Sequence, residues 1–269
     1  MQPGPIYFLT PRKCSVFGVN CEAIPRQINF LTDEAGEAGR GANAVISWLH
    51  FFLENHGLGE RDAYFHADNC TGQNKNNTVI AYFMWRILTK RHTNITYSFL
   101  VVGHTKFSPD WCFGLFKRLY RRTPVSCLAD VAAVVNRSAI CNTAQLVCTE
   151  DGSELVTTYD WTSFFASHMH KIQGIKKYHH FRFASASPGI VFAKNYADTD
   201  EIPFSLLKSS WQPDPGVLPA RIQPKGLSEE RQWYLHDSIR QFCSEEHRDT
   251  VCPLPAHPKQ KRRCTPAPV

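Results

Sequence analysis

Short apolar runs of strand length alternate with amphipathic helical patterns in the first half of the chain, and this alternation restricts the fold to the α/β class. Helices are predicted over residues 42–56, 79–89 and 109–122. The first three strand-like runs are expected to form an antiparallel meander. The strand-like runs are residues 5–10, 14–19, 27–31, 63–67 and 95–102.

The second half of the chain is less regular. Its patterns predict a helix over 126–135, short strands at 145–148 and 155–158, a hairpin of 181–183 with 190–193, and a helix over 228–246. The residues from Pro253 onward are rich in proline and in basic residues, which predicts disorder. We divide the chain into a core (1–125), an extension (126–252) and a disordered basic tail (253–269).

The apolar residues are too dispersed for a membrane protein, since no run approaches the roughly 18 consecutive apolar residues that a membrane span requires. The first residues also lack the basic segment of a secretory signal. Ten cysteines without a Cys-x-x-Cys motif therefore indicate free thiols in a reducing compartment. A zinc site assembled from scattered Cys and His is the open alternative. We expect a soluble protein without a membrane partner.

The net charge of +6 is concentrated in two segments. Residues 75–122 hold nine Lys and Arg against one acid, and residues 257–269 hold four basic residues and no acid. A positive face formed by the first segment would suit a phosphate backbone, and a solvated helix face is the alternative. The helix over 109–122 is expected to turn Trp111 inward and its bases outward. The candidate nucleic-acid contacts, with DNA as the expected partner, are Lys75, Lys106, Lys117, Arg118, Arg121 and Arg122.

The basic tail fits a nuclear localisation signal, because it places a short Lys/Arg cluster among prolines in a segment that is expected to be flexible. The candidate signal residues are Lys259, Lys261, Arg262 and Arg263. Nuclear localisation is therefore expected, and cytoplasmic localisation is the alternative.

Two aspartates follow neighbouring predicted strands. Asp68 comes directly after the strand 63–67 and opens the run Asp-Asn-Cys-Thr-Gly-Gln-Asn, and Asp110 follows the next strand, 95–102. If both strands lie in one sheet, the two carboxylates emerge at the same edge, and Mg²⁺ or Mn²⁺ prefers such oxygen ligands. His104 lies between them in sequence, as a third ligand or a general base.

The candidate catalytic residues are therefore Asp68, Asp110 and His104, and the two aspartates are the candidate metal ligands. Local roles are the alternatives. Asp68 would accept hydrogen bonds from the backbone of its own turn, and the neighbouring Asn and Gln would satisfy other loop groups. Asp110 would be an acid in the first turn of a helix, where the helix dipole stabilises it. His104 would be a strand-end histidine that hydrogen-bonds to the turn.

Six runs of the sequence together resemble a transposon-associated domain of unknown function that occurs in many copies in animal genomes, including fish. The resemblance spans roughly residues 3–250 and excludes the basic tail, and its most specific part is the Asp-Asn-Cys-x-Gly-Gln-Asn run. The six runs are residues 3–8, 11–14, 68–76, 103–107, 110–114 and 174–181.

This resemblance implies a relationship to DDE-type transposases. The implied fold is a ribonuclease-H-like mixed sheet flanked by helices, here lacking its first strand, with an irregular α+β extension. In that fold two metal ions held by carboxylates drive phosphoryl transfer, with Asp68 as the acid after the fourth strand and Asp110 as the acid at the last helix. Longer relatives carry a further strand with an acidic residue upstream. The first of the three catalytic carboxylates is therefore expected to be missing here. Glu22 and Asp33 are the acids that would have to replace it.

We therefore expect a transposon-derived domain that binds nucleic acid and whose catalytic site is inactive or incomplete. One alternative is a host-recruited domain that binds protein and has no nucleic-acid role, which predicts that acids break up the basic face. The other alternative is an intact metal-dependent nuclease or transposase core. It requires a third acid within metal reach of Asp68 and Asp110.

Overall fold

The computed structural model describes residues 4–39, 41–100 and 107–259. They form a mixed α/β fold in which helices flank two mixed sheets. The strands are β1 (Cys14–Cys21), β2 (Arg26–Asp33), β3 (Asp62–Ala67), β4 (Asn94–Phe99), β5 (Asn142–Leu146), β6 (His180–Ala184), β7 (Ile190–Lys194) and β8 (Ile202–Ser205). The α-helices are α1 (Gly4–Tyr7), α2 (Ala42–Asn55), α3 (Asn77–Leu88), α4 (Ser108–Tyr120), α5 (Leu128–Ser138), α6 (Trp161–Ala166), α7 (Glu229–Tyr234) and α8 (Arg248–Val251).

The first sheet has the strand order β1-β2-β5. β1 and β2 are antiparallel, with Cys14 opposite Asp33, whereas β5 runs parallel to β2. The central strand β2 is almost wholly buried, because α2 covers one face and α4 and α5 cover the other. Its alternating side chains divide accordingly. Phe30 packs against Trp48 of α2, and Leu31 lies in the apolar cluster of α4 and α5.

The second sheet has the strand order β3-β4-β6-β7-β8. β3 and β4 are parallel, paired from Asp62 opposite Asn94 to Ala67 opposite Phe99, so both strands end at the same edge. The remaining pairs are antiparallel. Helix α3 packs on this sheet and is buried on nearly its whole circumference, because α2 and α6 cover its other side.

Three predicted elements differ from the structure. The predicted strand 155–158 is absent, because only an isolated bridge between Cys148 and Glu154 forms there. Residues 5–10 form no strand: the segment begins with the short helix α1, and the predicted three-stranded meander is wrong because β2 pairs with β1 and β5 only. The prolines at both ends of this segment lack the N–H that a strand ladder needs. The predicted helix 228–246 consists of α7, a π-helical turn at Leu235–Ile239 and a 3₁₀ turn at Arg240–Phe242.

The side of α4 that faces the core also differs from the prediction. Trp111 is 63% exposed, whereas Cys112 and Phe116 are buried. The apolar residues of this helix fit two overlapping stripes, one through Trp111 and one through Cys112. The small cysteine lets the helix approach β1 closely, so the second stripe is the buried one.

The predicted extension completes the sheets that the predicted core begins. β5 joins the first sheet beside β2, and β6 joins the second sheet beside β4. The two segments therefore share both sheets. In the part of the chain that the structure describes, none of the helices combines the length and the apolar character needed to cross a membrane.

Part of the predicted disordered tail packs on residues 229–251, which run from α7 to α8 and which we call the C-terminal helical segment. Pro255 is buried, and Trp233 Nε1 donates a hydrogen bond to the His257 carbonyl at 2.9 Å. Lys259 of the predicted nuclear signal pairs with Asp237 at 2.7 Å. The structure thus gives contacts for this segment as far as residue 259, and disorder of the tail from residue 253 stays a prediction. The other signal residues, Lys261, Arg262 and Arg263, lie outside the described residues.

Candidate functional site

The polar run after β3 folds into a loop that satisfies its own polar groups. The Oδ1 atom of Asp68 accepts hydrogen bonds from the Cys70 backbone N–H at 3.1 Å and from Asn74 Nδ2 at 2.7 Å. The Cys70 carbonyl in turn accepts from the backbone N–H groups of Asn74 and Lys75. Asp68 therefore stabilises its own turn, which is the local role that a short polar side chain takes in such loops.

Asn69 and Lys75 join this loop to the end of β4. Asn69 Nδ2 donates to the Leu100 carbonyl, and Lys75 Nζ donates to Asn69 Oδ1 at 3.0 Å. The Lys75 ammonium also lies 5.1 Å from the centroid of the Phe99 ring. Lys75 is only 4% exposed, and burial lowers the pKa of its ammonium group. This lysine therefore does not belong to an exposed basic surface, in contrast to the sequence prediction.

The two asparagines that end the run begin α3 and fix its position. Asn76 Oδ1 accepts from the backbone N–H groups of Thr78 and Val79, as an N-cap side chain does. Asn77 exchanges two hydrogen bonds with the Ile172 backbone, at 2.8 and 3.4 Å. These amide side chains therefore have structural partners within the fold.

Asp110 occupies the third position of α4, and its carboxylate caps the start of the helix. Its Oδ2 atom accepts from the backbone N–H of the N-cap residue at 3.2 Å. At the start of the same helix, Ser108 Oγ donates to Glu22 Oε1 at 2.7 Å, which brings one candidate replacement acid to the N-terminus of α4. The other candidate, Asp33, is held by the Arg12 guanidinium at 2.6 Å.

No hydrogen bond, ion pair or shared partner among the described residues joins Asp68 to Asp110. Asp68 follows a strand of the second sheet, whereas the helix of Asp110 packs against β1 of the first. Within the described ranges, no group of three or more His, Cys, Asp or Glu ligands includes either aspartate. His104 and Lys106 lie outside those ranges. The described residues therefore do not complete a two-metal site, and binding of Mg²⁺ or Mn²⁺ stays a prediction.

The C-terminal end of α4 and the two residues after it form what we call the basic face of α4, which we define as Lys117, Arg118, Arg121 and Arg122. All four side chains are exposed, and they line a shallow open depression together with Gly114. Because the four side chains line one depression, their charges lie close to one another on one side of the molecule. No ion pair or side-chain hydrogen bond to any of these four cations is found among the described residues. The fold itself therefore does not neutralise this cluster.

Trp111 adds an aromatic ring to the same side of α4. It lies two helical turns before Arg118, a spacing that places both side chains on one helix face. An exposed aromatic ring near guanidinium groups can stack on a nucleic-acid base while the cations contact phosphates. The sequence analysis missed this residue because its apolar periodicity assigned Trp111 to the core.

Buried contacts hold the basic face in place from below. Phe116 packs in the apolar cluster between α4, α5 and the first sheet. Asn142 Nδ2 donates to the Cys112 carbonyl at 3.1 Å and to Ser138 Oγ at 2.8 Å, and Asn142 Oδ1 accepts from Asn29 Nδ2 at 3.3 Å. Helix α4 is thus attached to the first sheet by a polar network as well as by apolar packing.

Two further bases of the 75–122 segment are used inside the fold. Arg86 Nη1 lies 2.9 Å from Glu54 Oε1, and Arg91 Nε lies 3.4 Å from the same oxygen. The Arg91 guanidinium also stacks over the Trp85 ring at 4.5 Å. The excess positive charge of this segment therefore divides into structural cations on and beside α3 and exposed cations on α4.

Comparison with protein families finds a match. A domain of unknown function, DUF7869, matches residues 13–200, which includes the polar loop after β3 and the whole basic face of α4. Comparison with curated proteins and with solved structures finds no match.

Proposed function

The chain belongs to the DUF7869 family, a family of unknown function, and from this premise we propose that it is a transposon-derived domain that binds DNA through the basic face of α4. The transposon origin rests on the sequence resemblance described above. The parallel pair β3 and β4, with Asp68 directly after β3, is compatible with a ribonuclease-H-like ancestor. The proposal assigns no surviving catalytic activity to the chain.

The observation that carries this proposal is the unpaired state of the basic face. Lysine and arginine side chains on a helix are usually interspersed with acids, and like charges one turn apart destabilise the helix by a few tenths of a kcal/mol per pair. Here the four charges are exposed and have no acidic partner among the described residues. A phosphate backbone neutralises such a cluster and releases its own counterions on binding.

The same observation weighs against the alternative of a protein-binding domain without a nucleic-acid role. That alternative predicts acids interspersed in the basic face, whereas within the described residues the acidic side chains near α4 are engaged elsewhere. Asp110 accepts from the backbone N–H of the N-cap residue, and Glu22 accepts from Ser108. An intact nuclease is not favoured either, because the described residues supply no third acid for Asp68 and Asp110.

The DNA-binding proposal is tested by reversing charges on α4. We expect Arg118→Glu/Arg122→Glu to weaken binding of a labelled duplex at least tenfold in fluorescence anisotropy at constant salt. The matched control is Lys176→Glu/Lys177→Glu, which makes the same change in net charge at two exposed lysines far along the chain. Equal losses in both variants, or no duplex binding by the wild type, would contradict the proposal. The same measurement with single-stranded DNA and with RNA of the same sequence establishes which form of nucleic acid the chain binds most tightly.

Weak binding of Mg²⁺ or Mn²⁺ at Asp68 and Asp110 remains part of the proposal as a remnant of the ancestral site. Calorimetric titration of the wild type and of Asp68→Ala tests it, and identical titrations would remove this assignment. A nuclease assay with the same ions should show no cleavage. Measurable cleavage that Asp68→Ala abolishes would restore a catalytic role for Asp68, Asp110 and His104.

Nuclear import through the C-terminal basic residues is tested with a fluorescent fusion. The triple variant Lys261→Ala/Arg262→Ala/Arg263→Ala should shift the fusion from the nucleus to the cytoplasm. Lys259 is left unchanged, because its pairing with Asp237 gives it a separate structural role. Unchanged nuclear signal in the triple variant would argue against this signal.

A further inference from the structure

A cysteine, an aspartate and a histidine from two distant segments meet beside the N-terminus of α5. The Sγ atom of Cys127, a carboxylate oxygen of Asp130 and a ring nitrogen of His247 all lie within 4.8 Å of one another. Among the described residues, no other group of three or more His, Cys, Asp and Glu has this geometry. The group is separate from the basic face of α4 and from Asp68.

The local sequence places two of these side chains rigidly. Cys127 is the N-cap of α5 and Asp130 is the third residue of the helix, and the two form a reciprocal capping box. The Oδ2 atom of Asp130 accepts from the backbone N–H groups of Ser126 at 2.7 Å and of Cys127 at 3.2 Å. One carboxylate oxygen thus anchors the turn, and the carboxylate also hydrogen-bonds to the Cys127 thiol, a bond that a cation held between the two groups would replace.

The third side chain closes the group from the solvent side. His247 immediately precedes α8, and its side chain is 28% exposed, whereas Cys127 is 7% exposed. The group is therefore buried at the thiol and accessible at the imidazole. Glu150 lies beside Cys127 and accepts from the Leu128 backbone, so a second carboxylate contributes negative charge to this environment.

The donor chemistry selects the class of ion. A thiolate, an imidazole and a carboxylate together suit a borderline-soft cation such as Zn²⁺, whereas Mg²⁺ prefers oxygen ligands alone. We propose that Cys127, Asp130 and His247 bind one Zn²⁺ ion, with a water molecule as the fourth ligand. Binding replaces the thiol proton of Cys127, which passes to solvent, by a sulfur–zinc bond. Ligand atoms around tetrahedral zinc lie roughly 3.5 Å apart, so a small rotation of the partly exposed His247 ring closes the site.

The position of His247 indicates what such an ion would do. The family match ends at residue 200, so Cys127 and Asp130 belong to the matched domain and His247 to the segment after it. A bound ion would therefore join the C-terminal helical segment to the N-terminus of α5. The folded state would gain stability from zinc because the ligands are brought together only on folding.

Other thiols must be distinguished from this site in any experiment. The Sγ atoms of Cys243 and Cys252 lie 3.7 Å apart, and those of Cys112 and Cys141 lie 3.8 Å apart. Either pair can bind zinc adventitiously, but neither includes Cys127 or His247. The proposal therefore rests on variants of these two residues rather than on zinc content alone.

The test uses the full-length chain with Zn²⁺ and with Co²⁺ as a spectroscopic substitute. We expect one Zn²⁺ per chain in competition with a chelator, and a thiolate-to-Co²⁺ charge-transfer band in the near ultraviolet. His247→Gln should weaken Zn²⁺ binding at least tenfold, and Cys127→Ser should remove the charge-transfer band. The matched controls, Cys70→Ser at an exposed cysteine outside the group and His257→Gln, should behave as the wild type.

His247 is partly exposed, so His247→Gln keeps the test decisive even if Cys127→Ser fails to fold. Unchanged zinc affinity in His247→Gln would overturn the proposal, as would a wild type that binds no zinc. Zinc should also raise the unfolding temperature of the wild type and not that of His247→Gln. An equal rise in both proteins would assign the ion to one of the other thiol pairs.

Discussion

The ammonium nitrogen of Lys75 lies 3.0 Å from the side-chain oxygen of Asn69, and this hydrogen bond closes the loop between β3 and α3. Asn69 also donates to the Leu100 carbonyl after β4. The pair therefore connects the ends of two parallel strands through one buried cation. A lysine that the charge distribution assigns to a phosphate-binding surface is thus used to organise the edge of a sheet.

Replacing this lysine should affect folding more than binding. Lys75→Met keeps the alkyl stem near Phe99 but removes the charge-assisted hydrogen bond, and we expect a loss of about 1–3 kcal/mol in the free energy of unfolding. Urea denaturation measures the loss, with the exposed Lys176→Met as the control. A Lys75→Met protein with wild-type stability and weakened DNA binding would instead support the sequence prediction of a nucleic-acid contact.

The network around Asn142 should determine both stability and the placement of α4. Asn142→Ala removes the donor to the Cys112 carbonyl and the acceptor for Asn29, two groups in a buried environment. Each unsatisfied buried group costs about 1–3 kcal/mol, so we expect a total loss of about 2–6 kcal/mol.

Chemical denaturation of Asn142→Ala measures that loss, and the exposed Gln173→Ala is the control. Hydrogen exchange in α4 should accelerate in Asn142→Ala, because the helix loses a tie to the first sheet. Stability equal to that of the control would show that water replaces the lost partners.

The stability of the fold should fall in mild acid because of His92. This residue is buried and accepts a hydrogen bond at Nδ1 from Arg86 Nε at 3.1 Å, and burial followed by the Arg86 charge lowers the pKa of His92 to about 4. Below pH 6.5 the unfolded chain binds a proton that the folded chain excludes, so stability is retained above pH 6.5 and lost as the pH falls towards 4.

The loss attributable to His92 is about 3 kcal/mol at pH 4. Urea denaturation between pH 4 and 7 measures it against His92→Asn, whose side-chain oxygen can replace Nδ1 as the acceptor for Arg86 without titrating. The free energy of unfolding of the variant should depend less steeply on pH, because unfolding of the variant takes up about one proton fewer in this range. Identical slopes in the two proteins would show that His92 does not contribute to the acid sensitivity.

DNA binding by the basic face should depend steeply on salt. If the four cations of α4 each contact a phosphate, the logarithm of the binding constant should fall with the logarithm of salt concentration with a slope of about −3.6 for duplex DNA. Arg121→Gln should make this slope shallower by about 1, whereas Lys176→Gln should leave it unchanged. A slope near zero in the wild type would exclude phosphate contacts as the source of affinity.

Local periodicity determined most elements of this fold. The apolar spacing of α2, α3 and α5 and the alternation of β3, β4, β6 and β7 are properties of short segments, and these elements lie where the sequence predicts them. The pairing of strands is not local. β2 takes β5 as its parallel neighbour from more than a hundred residues away, so the first two strands form a sheet separate from β3 and β4. That division keeps Asp68 and Asp110 on elements of different sheets.

The sequence by itself determined the α/β class, the polar loop at Asp68 and the concentration of charge between residues 75 and 122. Only the tertiary structure decided which of these charges are free, because burial depends on contacts between distant segments: Lys75 binds Asn69 inside the fold, while Arg118 and Arg122 remain exposed. The meeting of Cys127 with His247 is also tertiary. No spacing rule connects ligands that far apart in sequence, so only the packing of the C-terminal segment on α5 reveals them.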